Sequence, residues 1–161
     1  FPETKFIGHA PGFCAHISGE DQFSRALYPA GPVLPGGELT RMFRTYPNLY
    51  ADLSAGSAYT ALSRDPAFAV DFLLEFQDRL LFGRDYFDSR MQDFLNSLNL
   101  PEAALTKIYA ENALRRANRK FETRFRTVEE EIRRRGLAIG DCELALLDSV
   151  WDEVKARSRG A

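Results

Sequence analysis

The sequence predicts an α/β fold, a parallel sheet covered by helices. Three observations predict it. Short, continuously apolar runs end in breakers; segments of helical period separate them; and 161 residues, 45% hydrophobic and 27% charged, suffice to bury a core. Strands that are apolar throughout, and that alternate with helices, belong to parallel sheets covered on both faces. In such sheets chemistry gathers at the carboxyl ends of the strands.

The first run, Lys5-Phe6-Ile7-Gly8-His9, is closed by Ala10-Pro11-Gly12 and predicts a buried strand that delivers His9 to its carboxyl end. Pro29, Pro32 and Pro35 then forbid a regular helix, so residues 12–37 predict a long shaped loop with at most one short helix over 21–27. Residues 37–46 read as helix, with Leu39, Met42 and Phe43 on one face and Arg41 and Arg44 away from it. Residues 49–54 form the second predicted strand, which carries Asp52 and Ser54 at its end. A short helix over 57–62 leads to Asp65, the expected cap of a helix that starts at Pro66 and repeats Phe68, Phe72, Leu73 and Phe76 at helical spacing. Residues 79–83 are the third strand, delivering Arg84 and Asp85.

Helices are expected over 89–98, with Met91, Phe94, Leu95 and Leu98 inward, and from Pro101 to about Asn118, with Leu105, Ile108 and Leu114 as the stripe. From Arg115 to Arg135 nine basic residues interleave with four acids, the pattern of a solvated or partner-facing helix rather than a nucleic-acid surface. Gly136 and Gly140 bracket a turn, and Asp141 is the expected cap of a last helix with Leu144, Leu147, Trp151 and Val154 on one side.

A net charge of −2 and a pI near 5.8 argue against a surface given over to nucleic acid. No run is long and apolar enough for a membrane span, and no signal segment is visible. Cys14 and Cys142 form no metal or redox motif, so the expectation is a cytoplasmic protein with free thiols. The chain opens at Phe1 without an initiator Met and turns strand-like at once, which suits a piece of something longer.

His9 reads either as a histidine bonded to the next loop or as a metal ligand or proton shuttle. His16 is a candidate substrate contact or a surface loop residue. A carboxylate at the end of a buried strand is costly unless it holds a cation, a donor network or a metal. Asp85 fits that description, unless it pairs with Arg84 or Arg90 or caps the helix near Ser89. For Asp52 a hydrogen bond to the neighbouring loop is the favoured reading.

The segments KFIGHAPG (5–12), YPNLYADLSAGS (46–57), DRLLFGRD (78–85) and IYAENA (108–113) occur in the order found in the carboxyl-terminal half of amidohydrolase-related proteins. The chain thus resembles the amidohydrolase superfamily, in its aminocarboxymuconate semialdehyde decarboxylase-like branch. The resemblance covers residues 1–118 and implies a partial (β/α)8 TIM barrel, strands six to eight with their helices, followed by a helical extension over 119–161. It implies that Asp85 is the strand-eight aspartate, which binds a divalent metal, zinc first, and orients or deprotonates water. It implies that His9 is the strand-six histidine, which polarises substrate or contacts metal.

The activity implied is hydrolysis of a C–N or C–O bond in a small-molecule substrate, with decarboxylation on the same scaffold. The family's first-strand His-x-His pair and strand-five histidine are absent, since His9 and His16 are the only histidines. A barrel takes roughly 200–250 residues or more, so the expected partner is a missing amino-terminal barrel half, with homo-oligomerisation a further expectation. The contrasting expectation is a non-catalytic barrel remnant that binds partners. A third expectation is a nucleic-acid accessory helix at Arg133, Arg134 and Arg135.

Overall fold

A computed structural model describes residues 1–19 and 27–157. Among them three strands, β1 (Phe6–Gly8), β2 (Leu49–Asp52) and β3 (Leu80–Leu81), form one parallel sheet in the order β1-β2-β3. Phe6 pairs with Leu49, Ile7 with Tyr50 and Gly8 with Ala51, while Ala51 and Asp52 pair with Leu80 and Leu81. Helices α1 (Pro11–Cys14) and α2 (Glu38–Thr45) lie between β1 and β2, and α3 (Gly56–Ser63) and α4 (Pro66–Phe76) between β2 and β3. After β3 come α5 (Arg90–Ser97), α6 (Glu102–Thr106) and a π-helical turn at Lys107–Glu111. The chain then continues as α7 (Asn112–Arg134) and ends in α8 (Leu144–Arg157). Two compact units result, Phe1–Ala113 and Leu114–Ala161.

In the first unit α4 starts where the sequence places it. Asp65 accepts from the Phe68 amide at 3.1 Å, with Pro66 following it, and its other oxygen accepts from the Val33 amide at 3.0 Å. These amides hold the Asp65 carboxyl below the usual range, Phe68 contributing most. Phe43, Phe72 and Phe76 interlock with ring centroids 4.9–5.8 Å apart. The Arg79 guanidinium lies over Phe43 and Phe76 at 4.9 and 5.3 Å and donates to the Tyr46 carbonyl at 2.9 Å. β3 is short, yet Leu80 is fully buried. Asn112, itself buried, fixes it: its amide nitrogen donates to the carbonyls of Gln77 at 2.7 Å and Leu80 at 2.8 Å. The Phe82 amide donates to the Ile108 carbonyl at 2.9 Å, so this helix stands in for a further neighbour of β3.

Several expectations change. β1 is not buried: Phe6 and Ile7 are half exposed, because β1 is an edge strand with one neighbour among the described residues. An apolar groove of about 740 Å³ runs beside it, lined by residues that include Phe6, Ile7, Phe13, Met42, Tyr46 and Leu49. The breaker-like Pro11-Gly12 opens a helix instead, since proline in a first turn forfeits only an amide that has no helical partner. Leu114 is exposed rather than part of the apolar stripe. Leu114 is nine residues from Leu105 and six from Ile108, which at about 100° per residue already sets it on another side of the helix from both. The helix expected over 21–27 lies outside the described residues, apart from Leu27.

The second unit is a helix pair whose core is Val128, Ile132, Val150 and Val154, with Leu147 and Trp151 packed against it. α7 closes on Gly136 in the left-handed region (φ 76°). The Leu137 amide reaches back to the Ile132 carbonyl and that of Gly136 to the Arg133 carbonyl, a Schellman ending. Asp141 sits inside a 3₁₀ turn at Ile139–Asp141 rather than capping α8, which starts at an exposed Leu144. Glu131 is clasped by Arg134 at 2.6 Å and Arg135 at 2.9 Å, and Arg135 also reaches Glu153 at 2.8 Å. Hydrogen bonds from the two arginines push the Glu131 carboxyl down to about 2.

Two outcomes follow from these contacts. Asn112→Asp keeps the volume but sets an oxygen against two carbonyls, so it should lower stability by about 1–3 kcal/mol in urea titration, more than a surface Asn→Asp change. Folded Glu131 takes up its proton only near pH 2, whereas the unfolded carboxyl does so at its ordinary 4.5. The stability supplied by the clasp is therefore complete above that ordinary value and drains away as pH falls toward 2. Thermal melts between pH 5 and about pH 2 should show this loss, and Glu131→Gln should flatten it.

Candidate active site

All three strands run the same way, so their carboxyl ends open on one side of the sheet. His9 directly follows β1, Asp52 closes β2, and Gly83, Arg84 and Asp85 leave β3. Pairing of Gly8 with Ala51 puts the next residue of each strand, His9 and Asp52, side by side. His9 Nδ1 lies 3.2 Å from Asp52 Oδ2, and the two side chains are 41% and 32% exposed, open to solvent but not fully in it.

Asp52 is itself held. Its Oδ1 accepts from the Ser54 amide at 2.8 Å, while the Leu53 amide between them donates to the Leu81 carbonyl at 2.9 Å. The expected bond from Asp52 to the neighbouring loop is therefore present, and the contact with His9 comes in addition. Gly83 allows the close approach behind it: a Cβ there would stand 3.3 Å from Ser54 Cβ and 3.8 Å from Asp52 Oδ1. Gly8 does the same for β1, where a Cβ would fall 2.1 Å from the Phe13 ring.

Asp85 is exposed, so the cost of burying a charge that singled it out does not apply; its amide donates to the Ser54 carbonyl at 3.4 Å, which ties the segment after β3 to the turn after β2. The alternative partners considered for Asp85 are engaged elsewhere. Arg84 bonds Gln92, Arg90 bonds Asp88, and the Ser89 hydroxyl meets Asp93. His16 sits exposed in a 3₁₀ turn at Ala15–Ile17.

Cys14 lies buried below this rim. Burial pushes its thiol up, the Asp52 charge adds in the same direction, and the Ser57 hydroxyl opposes both. No hydrogen bond of ordinary geometry reaches the buried Ser57 oxygen among the described residues. This thiol is thus poorly suited to act as a nucleophile.

A catalytic zinc takes three protein ligands and an open position. Among the described residues no group of three or more His, Cys, Asp or Glu side chains is arranged to hold a metal ion, so these residues alone do not fit such a centre. What the rim offers is an imidazole and a carboxylate in contact, with a second, exposed carboxylate on the adjacent segment. The His9–Asp52 contact escaped sequence reasoning. Its signal was present nonetheless, since each residue directly follows the paired part of an apolar run.

An amidohydrolase family model matches residues 36–116 of this chain. That span contains β2, β3, Asp52 and Asp85 and stops short of most of the second unit. Among curated proteins the chain is similar to the nucleoside triphosphate pyrophosphohydrolases of Escherichia coli strain K12 and of Escherichia coli O157:H7. Each is 42% identical over 69 residues, which is 42% of this chain and 26% of theirs. The chain spans about a quarter of the length of the curated relatives it matches. No solved structure gives a significant match.

Proposed function

The chain belongs to the amidohydrolase family, and from that premise we propose that it carries strand ends of a metal-dependent hydrolase site that splits a C–N or C–O bond of a small molecule with water. The observation that carries this reading is the meeting of His9 and Asp52 at 3.2 Å on the side of the sheet from which Asp85 also leaves. Asp85, exposed and without an ion-pair partner among the described residues, is the base that takes the proton of the attacking water. His9 is the second group facing the substrate.

The divalent metal of this proposal, zinc first, needs donors beyond the described residues, because those present fall short of three. The exposed edge of β1 and its apolar groove support an added strand there, as in a fuller barrel. Decarboxylation is the neighbouring chemistry on the same scaffold.

Two other readings have observations of their own. The lack of a three-donor group among the described residues favours a non-catalytic remnant that binds partners. The partial likeness to a nucleoside triphosphate pyrophosphohydrolase favours a role in a nucleotide hydrolase. One set of measurements separates all three: metal content, turnover of a panel of amides and esters, and pyrophosphate release from nucleoside triphosphates. They are made on this chain and on any longer natural polypeptide that contains it.

The hydrolase reading predicts about one equivalent of divalent metal in the longer polypeptide. Asp85→Asn should then lower turnover by roughly 10²-fold or more. Full turnover in the Asp85→Asn protein would overturn the role given to Asp85, and a metal-free, inert longer polypeptide would favour the binding protein.

A further inference from the structure

The His9–Asp52 contact has a direction, because the two imidazole nitrogens are not equivalent. Oδ2 of the carboxylate lies 3.2 Å from Nδ1, an ion-pair distance without the alignment of a hydrogen bond, and no described partner reaches the other nitrogen, Nε2. Ionised Asp52 can only accept, so in the neutral ring the proton it favours is the one on Nδ1. The carboxylate cannot easily swing away, since Oδ1 is anchored by the Ser54 amide at 2.8 Å and the backbone on either side is fixed in the β2–β3 ladder.

We infer that Asp52 is a positioning residue for His9: its charge beside Nδ1 favours the proton on that nitrogen and so keeps Nε2 of the neutral imidazole as a bare lone pair. Nε2 then serves as a proton acceptor or a cation ligand and does not donate to a substrate oxygen. Of the two roles weighed for the histidine, polarising the substrate as a donor is thereby disfavoured against contacting a metal or taking up a proton. The inference rests on the proposed hydrolase reading for its use. The tautomer itself is a property of this chain and needs neither metal nor substrate.

The test is a two-dimensional ¹H–¹⁵N spectrum of the histidine rings in the ¹⁵N-labelled 161-residue chain. It is recorded without metal at about pH 8.5, well above the ordinary histidine value of about 6.5. Only two histidines contribute, and His16→Gln assigns them. The wild-type spectrum should show His9 predominantly with Nδ1 protonated and Nε2 in the unprotonated range. Asp52→Leu, close in volume and unable to accept, should return His9 to the Nε2–H form that neutral histidine ordinarily prefers, while His16 is unchanged in Asp52→Leu.

A wild-type His9 that is mainly Nε2–H overturns the inference. So does a folded Asp52→Leu chain in which His9 stays Nδ1–H, because the carboxylate is then not the cause. Should Asp52→Leu fail to fold, Asp52→Ala is read in the same way, and the wild-type tautomer decides by itself if neither variant folds. The hydrolase reading can fail in metal and turnover measurements while this tautomer is still observed, and the reverse also holds, so the two failures are distinguishable.

Discussion

Parallel pairing of β2 with β1 on one side and β3 on the other is the constraint from which the rest of the first unit follows. A parallel ladder sends the carboxyl ends of all its strands to one side, and its crossovers need helices. Leu49 and Ala51 point into the core while Tyr50 and Asp52 take the other face, so the alternation along β2 decides that Asp52 meets His9. A slip of one residue would carry Asp52 into the core face and Ala51 to the rim. The register is resisted by the bonds around it, from Asn112 to the Leu80 carbonyl and from the Leu53 amide to the Leu81 carbonyl.

Energetically the sheet is small and depends on what covers it. Strands of three, four and two residues supply few ladder bonds. The burial that stabilises them comes from Phe43, Phe72, Phe76, Leu62, Leu73 and Leu95, each nearly or wholly shielded from solvent. Arg79 contributes by covering the aromatic cluster with its guanidinium while its head group satisfies a backbone carbonyl. The helix pair of the second unit has its own apolar core and its own charge clasp at Glu131.

Much of this was legible in the residues. Apolar runs gave the three strands, Asp65-Pro66 gave the start of α4, and helical spacing gave α2 and α5, because each of these signals is local. The exposure of β1 was not legible, since a strand's burial depends on neighbours that its own residues do not encode. Leu114 does not share the apolar stripe because nine residues from Leu105, at about 100° each, lead to the opposite side of a helix. At the site, the strand-end positions of His9, Asp52 and Asp85 could be read, but their contacts could not. Distance across a sheet depends on register, and register is set by bonds between residues about thirty to forty positions apart.

The central claim is the parallel register that sets the imidazole of His9 beside the carboxylate of Asp52. Cross-strand nuclear Overhauser contacts measure it directly on the labelled chain. The account predicts backbone contacts between Ile7 and Tyr50, Gly8 and Ala51, and Ala51 and Leu80, with the His9 ring protons close to the Asp52 side chain. Contacts displaced by one residue, such as Ile7 with Leu49, or an antiparallel pattern, would contradict it.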